Sequence, residues 1–378
     1  MNAKKPWFIG SEVYRSTTYG AGHPLGIPRV SLAMDICRAL GWLDGSNFID
    51  SPRASKGQLA DFHDPAYVDA VEAAETIGRV TPETAERHHI GVNGNPVFDG
   101  IFRRPATACG GGLLAAERLA VSDGVYYSPG GGQHHGRADR ASGFCYFNEP
   151  VLTLRAMLAG GVPRVFYLDL DAHHGDAVQD AFADDSRVFT LSIHEARRWP
   201  MGRDGAPGDP GTVEDRAGGM ARNLPVPDGF NDAELAYLME TVVLPMMTGF
   251  APEAVYVQAG SDALADDPQS RLELSNVALW RAVDQVARQT GRLLVSGGGG
   301  YNPYAVGRCW AGIWATLNGF PVPDRLPPEA EGPLRDVVWK HRRGRQPLGH
   351  WISTLADRPN PGPVREDVRD VARRALVE

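Results

Sequence analysis

The stretch Val162-Pro163-Arg164-Val165-Phe166-Tyr167-Leu168-Asp169-Leu170-Asp171-Ala172-His173-His174-Gly175-Asp176 decides the fold. Its first half is an apolar run rich in branched and aromatic residues, the composition of a strand buried on both faces. Its second half is acids and imidazoles. A buried strand that ends in charged groups describes the carboxyl end of a parallel strand, where open α/β sheets place their sites. In extended backbone, alternate side chains share a face, so Asp169, Asp171 and His173 would project to one side.

The pattern recurs. Residues 125–127, 188–193, 254–259 and 292–296 are further candidate strands, and each is followed by a glycine-rich or polar segment. Between them lie stretches with helical spacing. Val30, Ala33, Cys37 and Leu40 follow Pro28; Val68, Val71 and Glu75 form a weaker stripe; Leu113, Leu114 and Leu119 a third. Residues 231–250 and 274–289 are long enough for crossover helices. These stripes are core faces and carry no functional signal. The expected fold class is α/β: a single doubly wound domain with a mostly parallel central sheet flanked by helices. One catalytic domain is expected over residues 1–378, with a peripheral N-terminal segment (1–18) and a peripheral C-terminal tail (358–378). Residues 200–210 read as a long surface loop. Residues 358–365 read as a Pro-rich spacer before a short amphipathic helix.

Composition narrows the function classes. The 378 residues carry 38 Lys plus Arg against 46 Asp plus Glu, a formal net charge of -8, so no nucleic-acid-binding surface is expected. With 22% charged and 43% hydrophobic residues, the chain reads as an ordinary folded protein. Cys37, Cys109, Cys145 and Cys309 are widely spaced and form no CxxC pair, which favours a reducing compartment. The apolar run at residues 7–9 is far too short for a signal peptide or membrane span, and the chain reads as cytoplasmic with no membrane partner. Homo-oligomerisation stays open.

Four segments carry the chemistry. In residues 169–176, Asp171 and His173 make a reasonable half of a zinc site, because zinc takes carboxylate and imidazole alike and a catalytic site keeps a position open. An isolated Asp-x-Asp-x-His equally suits helix capping or arginine pairing. The third ligand is sought in Gly260-Ser261-Asp262, after its own strand. In Gly130-Gly131-Gly132-Gln133-His134-His135-Gly136, two histidines follow a flexible loop, and imidazole suits proton transfer near neutrality. His88-His89 lacks such a loop and reads as structural or exposed. Finally, Gly297-Gly298-Gly299-Gly300-Tyr301 suggests close backbone approach, with a tyrosine able to donate to an oxyanion. The Gly-Lys-Ser/Thr ending of a phosphate loop and the dinucleotide glycine spacing are both absent.

Taken in this order, the segments resemble the arginase-like histone deacetylase superfamily, especially bacterial acetoin-utilization-type deacetylases. The likeness runs from about Tyr19 to Asn318, through residues 130–148, 165–180, 258–264 and 297–310. It implies a zinc-dependent amidohydrolase acting on linear N-acetyl or N-acyl amides, with one Zn2+ on Asp171, His173 and Asp262. It implies two His-Asp pairs, His134 with Asp169 and His135 with Asp176, and a carbonyl-polarising Tyr301. A structural K+ would use Asp169, Asp171, His173, Ser192 and Ile193. Gly143 and Phe144 would line the acyl channel, and Arg29 would lie at its internal foot. The implied partner is an acylated lysine peptide or a small N-acyl amine such as a polyamine.

The departures concern substrate choice. Where the family carries an acidic clamp on a rim loop, this chain has Gly94 in Val92-Asn93-Gly94-Asn95-Pro96, with Asp99 the nearest replacement. Gln269 stands where a rim leucine is expected. Trp199 stands for a channel phenylalanine, either narrowing the entrance or anchoring its loop. Two other readings remain: an arginase-like hydrolase, which needs ligands for a second metal, and a catalytically silent acyl-group-binding protein.

Overall fold

The computed structural model describes residues 5–202 and 206–377. Its centre is one eight-stranded, all-parallel sheet: β1 (Trp7–Gly10), β2 (Phe48–Asp50), β3 (Gly124–Ser128), β4 (Val165–Asp169), β5 (Val188–Glu195), β6 (Ala221–Val226), β7 (Ala254–Gln258) and β8 (Arg292–Ser296). Their order is β2-β1-β3-β8-β7-β4-β5-β6. Five strands lie where the apolar runs place them.

Each central strand divides its side chains between two helical layers by simple alternation. Phe166 and Leu168 of β4, Val255 and Val257 of β7, and Leu293 and Val295 of β8 enter one core, with helices Val30–Ala39, Asn276–Ala287 and Pro303–Asn318. Val165, Tyr167, Ala254, Tyr256 and Leu294 enter the other, against helices Arg103–Val121 and Glu149–Ala159. A strand buried on both faces has no polar side to show, which explains why these runs read as continuous rather than alternating hydrophobicity.

Three strands had no clear signal. β1 is four residues long, yet Phe8 and Ile9 are fully enclosed and the strand pairs with both β2 and β3. The expectation of a peripheral segment at 1–18 is therefore corrected: Trp7–Gly10 is an interior strand. β2 and β6 are the sheet edges, and β6 tolerates Pro225 because an edge strand can spare an amide donor. Residues 231–250 do not form one regular helix; a π-helical stretch, Met239–Val243, joins Asp232–Leu238 to Leu244–Phe250.

The C-terminal tail is also less peripheral than its composition suggests. Helix Glu366–Leu376 buries Val368, Val371, Ala372 and Ala375 and packs beside β6. Eleven residues are too few for a stable isolated helix, whereas each buried valine contributes roughly 1.5–3 kcal/mol. Arg365, just before it, forms a two-pronged ion pair with the buried Glu234. No helix among the described residues is long and apolar enough to cross a membrane.

The strand ends matter most. The register pairs Ser128 with Ser296, Ser296 with Gln258, Gln258 with Asp169, Asp169 with Ser192, and Ser192 with Asn223. Six adjacent strands thus turn polar along one buried row, and the loops that leave this row build the site.

Candidate active site

Asp171, His173 and Asp262 converge just past the row. His173 Nδ1 lies 3.2 Å from Asp171 Oδ1 and 2.9 Å from Asp262 Oδ2, and the ligand atoms of all three residues fall within 4.8 Å of one another. Among the described residues this is the one cluster of its kind. The two carboxylates are at most 1% exposed. Burial works against a charged imidazole, yet hydrogen bonding to Asp171 and Asp262 raises His173 to about 10. The cluster is therefore a pocket of excess negative charge that favours a cation, and two carboxylates plus one imidazole match a catalytic zinc set with positions to spare.

The glycine run makes this convergence possible. Gly298 and Gly300 have φ of +156° and +140°, and a Cβ on Gly299 would collide with the Asp262 carboxylate. The Gly299 amide instead donates to Asp171 Oδ2 at 2.6 Å. Here the four glycines serve close approach, as expected from their composition.

His134 and His135 stand beside the triad on the loop after β3, with ring centroids 3.9 Å apart. His134 Nδ1 is 2.7 Å from Asp169 Oδ2, and His135 Nδ1 is 2.8 Å from Asp176 Oδ1. The two pairs are electrically unlike. Asp176 is shared with Arg137, which also binds Asp180, whereas no guanidinium pairs with Asp169 among the described residues. Burial opposes charging of His134, but Asp169 and Asp171 outweigh it and raise that ring to about 9. Burial and the neighbouring His134 charge push His135 down to about 3. The two rings are thus pushed in opposite directions, His134 towards the charged form and His135 towards the neutral one.

Several supporting residues were not singled out from sequence. Gln258 brings its amide nitrogen to 2.8 Å from His134 Nδ1, and Tyr167 donates to Asp169 or to Gln258 Oε1. Buried Glu149 accepts the Gly132 amide, and Asn148 donates to the carbonyls of His134 and Gly136, pinning the histidine loop. Asp267 accepts the Tyr301 amide at 2.7 Å. The signal that could have found Gln258 is a lone amide closing an otherwise apolar strand.

Tyr301 is 7% exposed. Burial, reinforced by Asp262 and Asp171, keeps its phenol well above the ordinary value, so it remains a donor. An outer cavity of about 1650 Å³ and an inner one of about 40 Å³ are both lined by His135, Gly143, Phe144, His173 and Tyr301, which form the constriction between them. Arg29 borders the inner cavity, with Nη1 donating to the Gly298 carbonyl at 2.7 Å.

At the mouth, Trp199 is half exposed and its indole meets the His135 ring edge-on at 4.7 Å. A Cβ on Gly143 would come within 2.5 Å of that indole, so Trp199 stands over the channel. Gln269 lines the outer cavity and donates its amide to Asp267. Gly94 lies behind the wall rather than in it: Asn93 and Asn95 line the cavity, and a Cβ at 94 would sit 2.7 Å from the Phe144 ring. Asp99 does not replace an acidic clamp, because it is turned outward and paired with Arg103. Ser192 stands opposite Asp169 in register, its hydroxyl 2.9 Å from His194 Nδ1, and Ile193 is buried beside it. His88 is buried, with its ring bonded to the Asp139 carbonyl, which fits a structural role.

Residues 23–317 match the histone deacetylase domain family. The chain is similar to the acetoin utilization protein AcuC of Bacillus subtilis, 30% identical over 330 residues, which is 85% of this chain and 84% of that protein. It is also similar to histone deacetylase 8 of Xenopus tropicalis, 33% identical over 308 residues, covering 79% and 80% of the two chains. Crystal structures of a histone deacetylase homologue from Aquifex aeolicus and of a homologue complexed with SAHA each superpose with a TM-score of 0.91 at 34% identity, covering 99% of this chain and 100% of the other. The chain belongs to the histone deacetylase family.

Proposed function

We propose that this protein is a zinc-dependent deacylase that hydrolyses the amide of N-acetyl or N-acyl amines, either acyl-lysine in proteins or an acetylated small amine. The observation that carries the reading is the meeting, at one constriction, of a metal-type triad, a split histidine pair and a buried tyrosine donor.

Asp171, His173 and Asp262 would hold the zinc, which when bound supplies Lewis acidity towards the acyl carbonyl and towards water. The protein's own groups do the rest. His135, neutral and oriented by Asp176, accepts a proton from the attacking water and returns it to the departing amine. His134, charged and held by Asp169, stabilises negative charge that develops on the reacting oxygens. Tyr301 donates to the carbonyl oxygen, where its contribution grows as the oxygen becomes anionic. Gly143 and Phe144 form the walls that admit a slim acyl-amine stem. Asp169, Asp171, His173, Ser192 and Ile193 would hold a K+, since a carboxylate and hydroxyl facing each other across β4 and β5 form a hard oxygen donor set.

A binuclear, arginase-like reading has less support, because one three-residue metal cluster is found among the described residues. The test is a metal-replete activity screen over acetyl-lysine peptides, acetylpolyamines and longer acyl-lysines, with free acid and bound metal both quantified. One zinc per chain and acid release are expected. Failure to hydrolyse any member of the panel would leave a silent acyl-binding protein as the better account.

A further inference from the structure

The loop that carries Gly143 and Phe144 is fastened by a residue the proposed chemistry does not use. His63 lies between helices Lys56–Leu59 and Pro65–Ile77, 1% exposed, among the rings of Phe62, Tyr67 and Phe147. Its Nδ1 is 3.0 Å from the Arg137 carbonyl oxygen, and its Nε2 accepts the Asn148 amide at 2.9 Å. One partner can only accept and the other can only donate, so the proton sits on Nδ1 and the ring is neutral. Burial pushes the ring the same way, down to about 4. A single imidazole therefore bridges both ends of the loop 137–148. The next residue adds a strut, the Asp64 amide donating to the Ala138 carbonyl at 2.8 Å.

Each end of that loop leads to one of the two histidines beside the triad. Arg137 pairs with Asp176, which meets His135 Nδ1. Asn148 donates to the carbonyls of His134 and Gly136. Between the ends, Gly143 and Phe144 line the constriction. A buried amide and a buried carbonyl left open are unfavourable, so without the ring this loop would shift to recover partners. A shift of about 1 Å in a reacting group can cost about 10²-fold in rate. We propose that His63 is a positioning residue for the hydrolysis: by clasping Arg137 to Asn148 it sets where His134 and His135 stand relative to the metal triad. This rests on the deacylase reading. His63 itself lines neither cavity, so its loss is expected to spare the metal site.

The test measures kcat, KM, bound zinc and unfolding temperature for the full chain, with one acetyl-lysine peptide as substrate. His63→Phe keeps an aromatic ring but neither bond. His63→Asn keeps a donor for the Arg137 carbonyl, and His63→Gln keeps an acceptor for the Asn148 amide. Zinc content is expected to stay at the wild-type level throughout. For His63→Phe, kcat should fall by about tenfold or more while KM changes less, and the two variants that retain one bond should lose about threefold. An unchanged kcat with only the unfolding temperature lowered would reduce His63 to packing and overturn the inference. A rise in KM alone, a loss of zinc, or equal losses of kcat in all three variants would overturn it as well, the last because ring shape rather than the clasp would then matter. No hydrolysis by the unaltered protein would overturn the deacylase reading itself, and this inference with it. If His63→Phe fails to fold, the other two variants decide: wild-type kcat in both overturns the clasp.

Discussion

Asp169, Asp171 and Asp262, at the floor of the cleft, are at most 1% exposed and close or follow strands locked in register, whereas Trp199 and Gln269, at its mouth, sit on loops with the indole half exposed. The floor is overdetermined. Each carboxylate meets an imidazole or a backbone amide, and a change at one position disturbs several partners. The mouth lies on loops outside the sheet and can change without breaking it. The difference teaches that reaction type and substrate choice are separable here, because they reside in parts of the molecule with different mechanical support.

That separation can be broken most forcefully at the triad. Asp262→Ala should abolish stoichiometric zinc binding and lower kcat/KM by about 10³-fold or more, as read by metal analysis alongside activity. A variant that keeps both would remove Asp262 from the metal site. Tyr301→Phe should retain zinc but lose about 10²–10³-fold in kcat, since the lost donor acts on charge that develops during reaction. Unimpaired turnover would reject its oxyanion role.

Smaller effects test the support and then the rim. Gln258→Ala, beside His134, should cost about 10–100-fold in activity with little change in KM. An effect confined to stability would reduce Gln258 to packing. Trp199→Ala should alter KM across substrates of different width by less than about tenfold and spare kcat; a collapse of kcat would show that the mouth shares in the chemistry. Gly94→Asp is the most local change. A residue forced to φ +80° and pressed on Phe144 should lose about 1–2 kcal/mol of stability in denaturant unfolding, without tighter peptide binding. Improved peptide affinity would show that the wall can move to rebuild a clamp.

Much of the floor was legible because its residue types are rare in apolar surroundings. Asp171-Ala172-His173 after an apolar run, and Asp262 after another, stand out against a packing background. The helpers did not. Gln258, Glu149 and Asp267 are ordinary residues until the fold buries them against His134, the glycine loop and Tyr301. Arg104 was invisible for a related reason: within a helical stretch it reads as a solvated charge, and only the packing of Tyr14 and Thr17 over it reveals burial. β1 escaped notice because four residues give too short a pattern to separate a strand from a loop.

By itself, the sequence determined the α/β class, five of the eight strands and the residue types able to hold a metal and move protons, since apolar periodicity and acid-imidazole clusters are local properties of the chain. The tertiary structure decided what depends on distance across the sheet: the alignment of six strand ends into one polar row, the different surroundings of two adjacent histidines, and the placement of Arg29 and Arg104 behind the metal triad. Those features arise from segments far apart in the chain, so no window of sequence contains them.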